Sequence, residues 1–360
     1  MKDNGLFRLV GFAPTVAVCI LAACQDVRVD PFAREARPDT GATTSLDAGR
    51  LACPPEMIGF ASVSGSTQPT TGGGTARPVT VSTLSDLVSE AGSVSPAVIV
   101  IKGMVVVPPA SQPLQIEVGS NKTIVGADAS SGLTGGGFII DATRNVIIRN
   151  LVISFPVGTD GIAVQAAQHV WIDHCELYSD TNPGRATDYY GWLVNIKHAS
   201  DFVTVSWTRF HDHFNTAQIG HSDDNSAEDL GHLTVTYHHN LFERTHSGSP
   251  RVRFGTVHVF NNDYDAVSDY AVASQDQAQV RVEQNYFQTV AEPLTNTHEM
   301  TPPGAIGDIL NTYSVDSGPN VLAGSGAPAF TLDALPYPFM TDSTSSVRAI
   351  VSSCAGPGRI

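Results

Sequence analysis

Charged residues are scarce in this sequence, and basic residues are the scarcest of them. Only 20 of the 360 residues are Lys or Arg, against 35 Asp or Glu, which gives a formal net charge of −15. A polyphosphate would be repelled at long range, so general nucleic-acid binding is disfavoured. An acidic ligand held in a local basic groove remains compatible with this charge. The shortage of charge, with 32 Gly and 22 Pro, favours a β-rich, turn-rich fold.

Long apolar runs are absent after the N-terminus, so no later segment is expected to be a membrane helix. Residues 9–23 are apolar but short for a membrane span, and the sequence Leu-Ala-Ala-Cys at 21–24 resembles the bacterial lipobox. We expect residues 1–23 to be a lipoprotein signal peptide, with a lipid on Cys24. The alternative is an ordinary signal peptide cut nearby. Residues 24–53 are mostly polar and are expected to form a tether.

Cysteines are few, and their positions suggest one bridge. Cys53 and Cys354 lie at the two edges of the expected folded domain, residues 54–355. Disulfides persist in exported proteins, so a Cys53–Cys354 bridge is a reasonable hypothesis. Cys175 follows an apolar run and is expected to be buried. We expect an exported monomer, either a bacterial outer-membrane lipoprotein or a secreted protein, that meets the membrane only through a lipid anchor.

An internal repeat indicates the architecture. Six segments with alternating apolar residues begin with valine, and their starts are 24, 33, 32, 22 and 23 residues apart. These first residues are Val146, Val170, Val203, Val235, Val257 and Val280. Alternation predicts strands with one buried face, and the period predicts one solenoid coil per repeat. The sixth position is asparagine in the last three segments, and stacked asparagines suit a parallel β-helix.

Two of the intervals are about ten residues too long. The surplus falls near 179–191 and 211–231, and both stretches are polar. Insertions in a solenoid become loops on one face, often the binding face. The next coil carries three arginines within ten residues, Arg244, Arg251 and Arg253. We expect these basic residues to face a groove walled by the polar loops.

Several motifs together resemble the pectate lyase/pectin lyase family, from about Gly59 to about Pro293. They include NVIIRNLVIS, VWIDHCELYSD, DFVTVSWTRFHDH and SPRVRFGTVHVFNN. The resemblance implies an all-β, right-handed parallel β-helix, export, and an acidic polysaccharide substrate, polygalacturonate or pectin. It also implies β-elimination, in which a base removes the proton at C5 of a uronic acid. The family uses an arginine as this base, a lysine to hold the substrate, and calcium to neutralise the substrate carboxylate.

Residue by residue, the family's site is only partly retained. Its R-x-P-x-x-R motif falls on residues 248–253, so the base position is Gly248 and the last arginine is Arg253. The substrate lysine falls on Asn215. Arg253 and Arg251 are therefore the candidate catalytic residues, and both, with Asn215, are candidate substrate-binding residues. The alternatives are that Arg253 forms a buried salt bridge and that Arg251 is a solvated surface residue.

The calcium carboxylates are mostly replaced as well. The positions that the resemblance assigns to them hold Gly158, Asp160, Gly191 and Asn195. Calcium prefers six to eight oxygen ligands, several of them anionic. Asp160 and Asn195 are thus the candidate ligands of a calcium site that is expected to be weak or absent. An arginine at 248 alone is not expected to restore full activity, and adding acidic residues at 191 and 195 and a lysine at 215 would be expected to help far more.

Three functions compete on this basis. The first is a lyase with a rearranged site, for which a methyl-esterified substrate would need no calcium. The second is a non-catalytic galacturonan-binding surface lipoprotein, favoured by the replaced positions. The third is a hydrolase with paired carboxylates among Asp180, Asp188, Asp223 and Asp224, which composition alone suggests. A zinc site at His211 and His213 is disfavoured, because hydrogen bonds at turns or in the core explain such histidines.

Overall fold

The computed structural model of the protein describes residues 53, 56–63, 65, 68–109, 113–182, 184–298, 302–323, 330 and 334–360. The expected signal peptide, the lipidated Cys24 and nearly all of the expected tether lie outside the described residues. None of the described helices has the length and apolar character that crossing a membrane requires.

Strands dominate the described part of the chain. In chain order they are β1 Pro78–Val81, β2 Ala97–Ile101, β3 Met104–Val106, β4 Gln115–Glu117, β5 Lys122–Gly126, β6 Gly132–Thr134, β7 Gly137–Asp141, β8 Arg144–Arg149, β9 Val152–Ser154, β10 Ile162–Gln165, β11 Gln168–Asp173, β12 Glu176–Tyr178, β13 Val194–Lys197, β14 Asp201–Ser206, β15 Arg209–Asn215, β16 Ala217–Ile219, β17 Thr234–His238, β18 Leu241–Ser247, β19 Arg251–Arg253, β20 Thr256–Phe260, β21 Asp263–Asp265, β22 Tyr270–Gln275, β23 Gln279–Glu283, β24 Tyr286–Gln288, β25 Glu292–Thr295, β26 Ala305–Ile309 and β27 Thr312–Tyr313. Helices are few: a 3-10 turn Phe60–Ser62, α1 Leu84–Ala91, α2 Ser226–Asp229 and α3 Thr344–Cys354.

The strands form three sheets that run along the molecule. Sheet A has the order β1-β2-β5-β8-β11-β14-β17-β20-β23-β26. Sheet B has the order β27-β24-β21-β18-β15-β12-β9-β6-β3, and sheet C has the order β25-β22-β19-β16-β13-β10-β7-β4. Each complete coil gives one strand to each sheet, and neighbouring coils pair in parallel, as β11 does with β8 and β14. The fold is the right-handed parallel β-helix that the repeat and the resemblance predicted.

The repeat positions stack as the sequence indicated. The six segment-initial valines pair in register from β8 to β23, and each is fully buried. At the eighth position, ring centroids lie 4.9 Å apart between Phe210 and Phe242, and 4.8 Å apart between Phe242 and Tyr264. These distances match the roughly 4.8 Å spacing of hydrogen-bonded strands. The interior is therefore a set of columns in which each coil buries the apolar side chains of the next.

The predicted asparagine ladder is also present. Asn240 Nδ2 donates to Asn262 Oδ1 at 2.9 Å, and Asn262 Nδ2 donates to Asn285 Oδ1 at 3.0 Å. Asn285 Nδ2 continues the ladder to Asn311 Oδ1 at 3.0 Å. Sequence reasoning missed Asn311, because its segment begins with Ile306 and interrupts the apolar alternation. The ladder satisfies the buried backbone at one corner of each coil.

The C-terminal segment is fastened to the outside of the solenoid. Cys354 in α3 forms a disulfide with Cys53, the pairing that the sequence suggested. Asp342 and Tyr337, from the segment before α3, cover three histidines on the outer face of sheet A. These are His238, His239 and His258, the buried histidine cluster. His239 Nε2 lies 2.9 Å from Asp342 Oδ2, and His258 Nδ1 lies 2.9 Å from the Tyr337 hydroxyl.

Candidate functional site

Two loops flank the outer face of sheet C. The stretch 179–191 connects β12 to β13, as the interval predicted. The second surplus was placed at 211–231, but residues up to Ile219 belong to β15 and β16, and the loop is 220–233 with α2 inside it. The misplacement arose because β15 carries polar residues on its outer face. In a parallel sheet these loops lie at opposite ends of the strands, so they wall the face on two sides.

Two of the three clustered arginines lie on this face. In β19, Val252 is fully buried in the core, and Arg251 and Arg253 therefore share the outer face, as their spacing indicated. Register places Arg251 beside Gln218 of β16, and Gln218 beside Asn195 of β13. Asn195, Gln218 and Arg251 thus line up across three coils, and we call this set the polar row.

The third arginine points elsewhere. Arg244 lies on sheet B, where its Nη2 contacts Asp212 Oδ2 at 2.8 Å. Its side chain is about half exposed. Carboxylate contacts hold its guanidinium at the surface, outside the face that carries the polar row.

Arg253 is held by the protein. Its Nε contacts Asp223 of loop 220–233, its Nη1 donates to Gly220 O at 3.2 Å, and Asp276 Oδ2 lies 3.7 Å from its Nε. Only 6% of the residue is exposed. This is the geometry of the buried salt bridge that we kept as the alternative. A contact between Arg253 and substrate stays a prediction.

Arg251 is as buried as Arg253, with 7% of the residue exposed, so the alternative of a solvated surface residue is wrong. Its Nε donates to Gln275 Oε1 at 2.7 Å, a neutral partner on the next coil. A guanidinium presents five donors and keeps its charge, so it suits a carboxylate. Arg251 is thus the cation of the polar row, in register with Gln218.

A tryptophan ring crowds the position of Gly248. Its φ is +68°, a left-handed conformation, and a Cβ atom built there would lie 2.7 Å from Trp192 Cζ3 and 3.2 Å from Ala217 O. Real Cβ atoms essentially never approach another heavy atom within 3.0 Å. Sequence reasoning missed Trp192, because it lies two coils earlier and no motif includes it. The space next to the expected base position is thus filled by an indole ring.

Asp160 holds the backbone under that ring. The Trp192 N–H donates to Asp160 Oδ1 at 2.9 Å, and Asn195 Nδ2 donates to Asp160 Oδ2 at 3.0 Å. Burial raises the pKa of the Asp160 carboxyl, although these hydrogen bonds oppose the rise. Both oxygens of the retained carboxylate are engaged by the protein itself.

The residues at this corner do not fit a calcium site of the expected kind. One carboxylate and the Asn195 amide are far from the six to eight oxygens that calcium prefers. A Cβ at Gly191 would lie 2.4 Å from Thr159 O and 2.7 Å from Asp160 Oδ1, so this backbone has no room for an acidic side chain there. This packing opposes the acid at 191 that the expected four-substitution restoration of activity includes. Across the described residues, no group of three or more His, Cys, Asp or Glu is placed to hold a metal.

Structural hydrogen bonds account for the nearby histidines. His213 Nδ1 lies 2.6 Å from Ser179 Oγ, and its Nε2 lies 2.9 Å from Gly191 O. Burial lowers the pKa of His213 to about 4. His211 Nε2 lies 3.1 Å from a carboxylate oxygen of Glu176. The His213 contacts fix the loop before β13, and the His211 contact joins β15 to β12.

Asn215 also supports that loop. Its Nδ2 donates to Thr187 O at 3.3 Å. The carboxylates considered for a hydrolase are divided, since Asp180 lies in loop 179–191 and Asp223 in loop 220–233, at opposite ends of the sheet C strands. Asp180 is bound by Arg185, and Asp223 by Arg253. Asp188 and Asp224 lie in the same two loops, so each loop carries two of the four candidates, and a carboxylate pair acting across the sheet stays a prediction.

Several known proteins are similar to this chain in both sequence and fold. Pectate lyase A of Aspergillus niger is 36% identical over 318 residues, which cover 87% of this chain and 91% of that protein. Pectate lyase plyB of Emericella nidulans is 41% identical over 254 residues, covering 69% and 74%. The crystal structure of a pectate lyase from Bacillus sp. N165 in complex with trigalacturonate superposes with a TM-score of 0.72 at 28% identity, covering 84% and 99%.

The family assignment rests on nearly the whole folded chain. The profile described as Pectate lyase matches residues 42–360, which include the solenoid, both loops and the polar row. With the parallel β-helix and the relatives above, this match shows that the chain belongs to the pectate lyase family and is a pectate/pectin lyase-like protein.

Proposed function

We propose that this protein binds galacturonan on the outer face of sheet C and cleaves it by β-elimination. The observation that carries the proposal is the polar row on the outer face of sheet C, which includes an arginine of the motif that resembles the family's. Its amides suit hydroxyl groups, and Arg251 suits a uronate carboxylate. The trigalacturonate bound to the Bacillus relative supports an acidic polysaccharide as the ligand.

The chemistry assigns Arg251 a defined task. The C5 proton of a uronate is weakly acidic while its carboxylate is ionised, so a cation must stabilise the charge that develops. In this proposal the Arg251 guanidinium pairs with that carboxylate. Removal of the C5 proton forms the C4–C5 double bond as the C4–O4 bond breaks. Gly248 has no side chain to accept the proton, so in this proposal water accepts it and another water protonates the departing O4. We infer that calcium is not required, because Asp160 is already engaged by Trp192 and Asn195.

A second candidate is a non-catalytic galacturonan-binding protein. The observation that favours it is the Trp192 ring beside Gly248, since this ring occupies the space of a side chain that would act as base. The two candidates agree on the ligand and on the polar row. They differ only in whether unsaturated uronides are released.

One experiment tests the binding face and separates the candidates. Calorimetry with oligogalacturonides would be run on wild type, Arg251→Ala and Arg244→Ala, while ultraviolet absorbance follows unsaturated products with and without chelator. Loss of a charged hydrogen bond predicts about tenfold weaker binding for Arg251→Ala. The Arg244→Ala control, altered on another sheet, should bind as wild type does. Equal binding by all three would overturn the proposed face, and binding without product would favour the second candidate.

Export is part of the same proposal. The N-terminal segment supports an exported protein, either anchored as an outer-membrane lipoprotein through Cys24 or secreted. Incorporation of labelled palmitate into wild type, and its loss in Cys24→Ser, would support the anchor. An unlabelled wild type found in the medium would favour secretion.

A further inference from the structure

Trp192 differs from the other tryptophans of the chain in its exposure. The sequence has three, and Trp171 and Trp207 are 6% and 3% exposed. Trp171 donates its indole N–H to Ser206 Oγ at 2.9 Å, and Trp207 stacks on His239 with centroids 4.2 Å apart. Trp192 is partly exposed and lies just before β13 of sheet C. It is therefore the tryptophan that a ligand on this face can meet.

The backbone of Trp192 is fixed on both sides. Its N–H is bound by Asp160, and its carbonyl accepts from the Gly161 N–H at 2.8 Å. The preceding Gly191 donates to Thr159 O at 2.9 Å and accepts from His213 Nε2 at 2.9 Å. A side chain on such a support loses little freedom when it binds a ligand.

The segments that carry the ring and Gly248 also lead into the polar row. Trp192 precedes Asn195 by three residues, and its ring reaches Gly248, which precedes Arg251 by three residues. An aromatic surface beside a few convergent polar groups is the usual composition of a site for a small polar ligand with an apolar face. A pyranose ring has such a face, formed by its C–H groups.

We propose that Trp192 is the platform on which one pyranose ring of the galacturonan chain rests, beside Gly248. The absence of a side chain at 248 leaves the indole in place, and the polar row takes the hydroxyl and carboxylate groups of the same chain. This inference rests on the proposed function, because it names a contact within that binding face. Trp192 is accordingly a substrate-positioning residue that the family's arginine motif does not include.

Intrinsic fluorescence provides a readout that a purely structural role would not move. Trigalacturonate would be titrated into wild type, Trp192→Phe and the control Trp171→Phe. Saturable fluorescence changes are expected in wild type and Trp171→Phe, and none in Trp192→Phe. Calorimetry should show Trp192→Phe within about threefold of wild-type affinity and Trp192→Ala about tenfold weaker, since loss of a stacked aromatic ring removes apolar contact.

The outcomes separate this inference from the proposed function. If wild type does not bind trigalacturonate, both are overturned. If wild type binds but Trp192→Ala binds equally well, the inference alone is wrong, whatever the fluorescence shows. If circular dichroism shows that Trp192→Ala is unfolded, Trp192→Phe decides, because it keeps an aromatic ring. Trigalacturonate binding by Trp192→Phe without a fluorescence change supports the platform. A fluorescence change equal to that of wild type refutes it.

Discussion

The pairing of Gly248 with Trp192 can be tested by adding a single methyl group. In Gly248→Ala the new Cβ would lie 2.7 Å from the indole, in a backbone with φ +68°. The left-handed conformation costs an L-residue about 1–2 kcal/mol. Overpacking adds about 1–3 kcal/mol. We therefore expect the free energy of unfolding to fall by about 2–5 kcal/mol.

A matched control separates the two contributions. Gly103 has φ +76°, and a Cβ there meets nothing within 4 Å, so Gly103→Ala should lose only the conformational part, about 1–2 kcal/mol. In a Trp192→Ala background, Gly248→Ala should also lose only that part. Urea denaturation of the four chains of this cycle should give a coupling energy of about 1–3 kcal/mol. Additive effects, with Gly248→Ala no worse than Gly103→Ala, would refute the steric argument.

The same reasoning extends to activity. Gly248→Arg should not increase the release of unsaturated uronides from de-esterified polygalacturonate, because Trp192 occupies the space and the calcium ligands are not restored. Ultraviolet absorbance at fixed protein concentration measures this directly. A gain to ordinary pectate-lyase turnover would show that the ring moves aside without cost.

Three further outcomes follow from the packing. Burial lowers the pKa of each histidine in the buried histidine cluster, so below about pH 6.5 the unfolded chain binds protons more readily than the folded one. The urea midpoint should therefore fall as the pH is lowered from about 7.5 to 5. His238→Gln should reduce this change of midpoint with pH and the more exposed His232→Gln should not, and a flat profile would contradict the assignment. Asn262→Ala should cost about 2–4 kcal/mol, because it breaks the ladder on both sides, and Asn311→Ala at the ladder's end should cost less. Calorimetry should detect no micromolar calcium binding, and a tight site that disappears in Asp160→Ala would show that the corner rearranges around the ion.

Much of the fold could be predicted because the stacked positions of a solenoid repeat the same residue types at regular intervals in the sequence. Each coil stacks on the next with the same side chains inward, so a column of identical residue types marks aligned positions. The valines that begin the six segments and the ladder from Asn240 to Asn285 are such columns. Asn311 escaped this reasoning because the last coil departs from the apolar pattern while keeping the corner hydrogen bond. The last coil keeps the ladder hydrogen bond from Asn285 to Asn311 although its sequence has lost the apolar alternation.

Loop boundaries were harder to predict for a related reason. The outer face of a strand has no apolar alternation of its own, so β15 and the start of the following loop look alike in the sequence. Only the buried partners of β15, such as Phe210 on Phe242, separate strand from loop, and those partners come from another coil. Both loops leave from the ends of sheet C, but of the three arginines expected to face a groove there, only Arg251 and Arg253 lie on that sheet.

The site itself depends on contacts between coils that a motif does not contain. Taken alone, the motif at residues 248–253 indicates only that the base is missing at Gly248. The structure shows that the vacated space is used, since Trp192 from the coil of β13 lies against that glycine, and Asp160 from the coil before it holds the tryptophan backbone. A side chain returned to 248 would have to displace the ring, and an acid returned to 191 would collide with Thr159 and Asp160. The replaced positions therefore constitute one packed arrangement, and substituting any one of them alone tests the packing before it tests the chemistry.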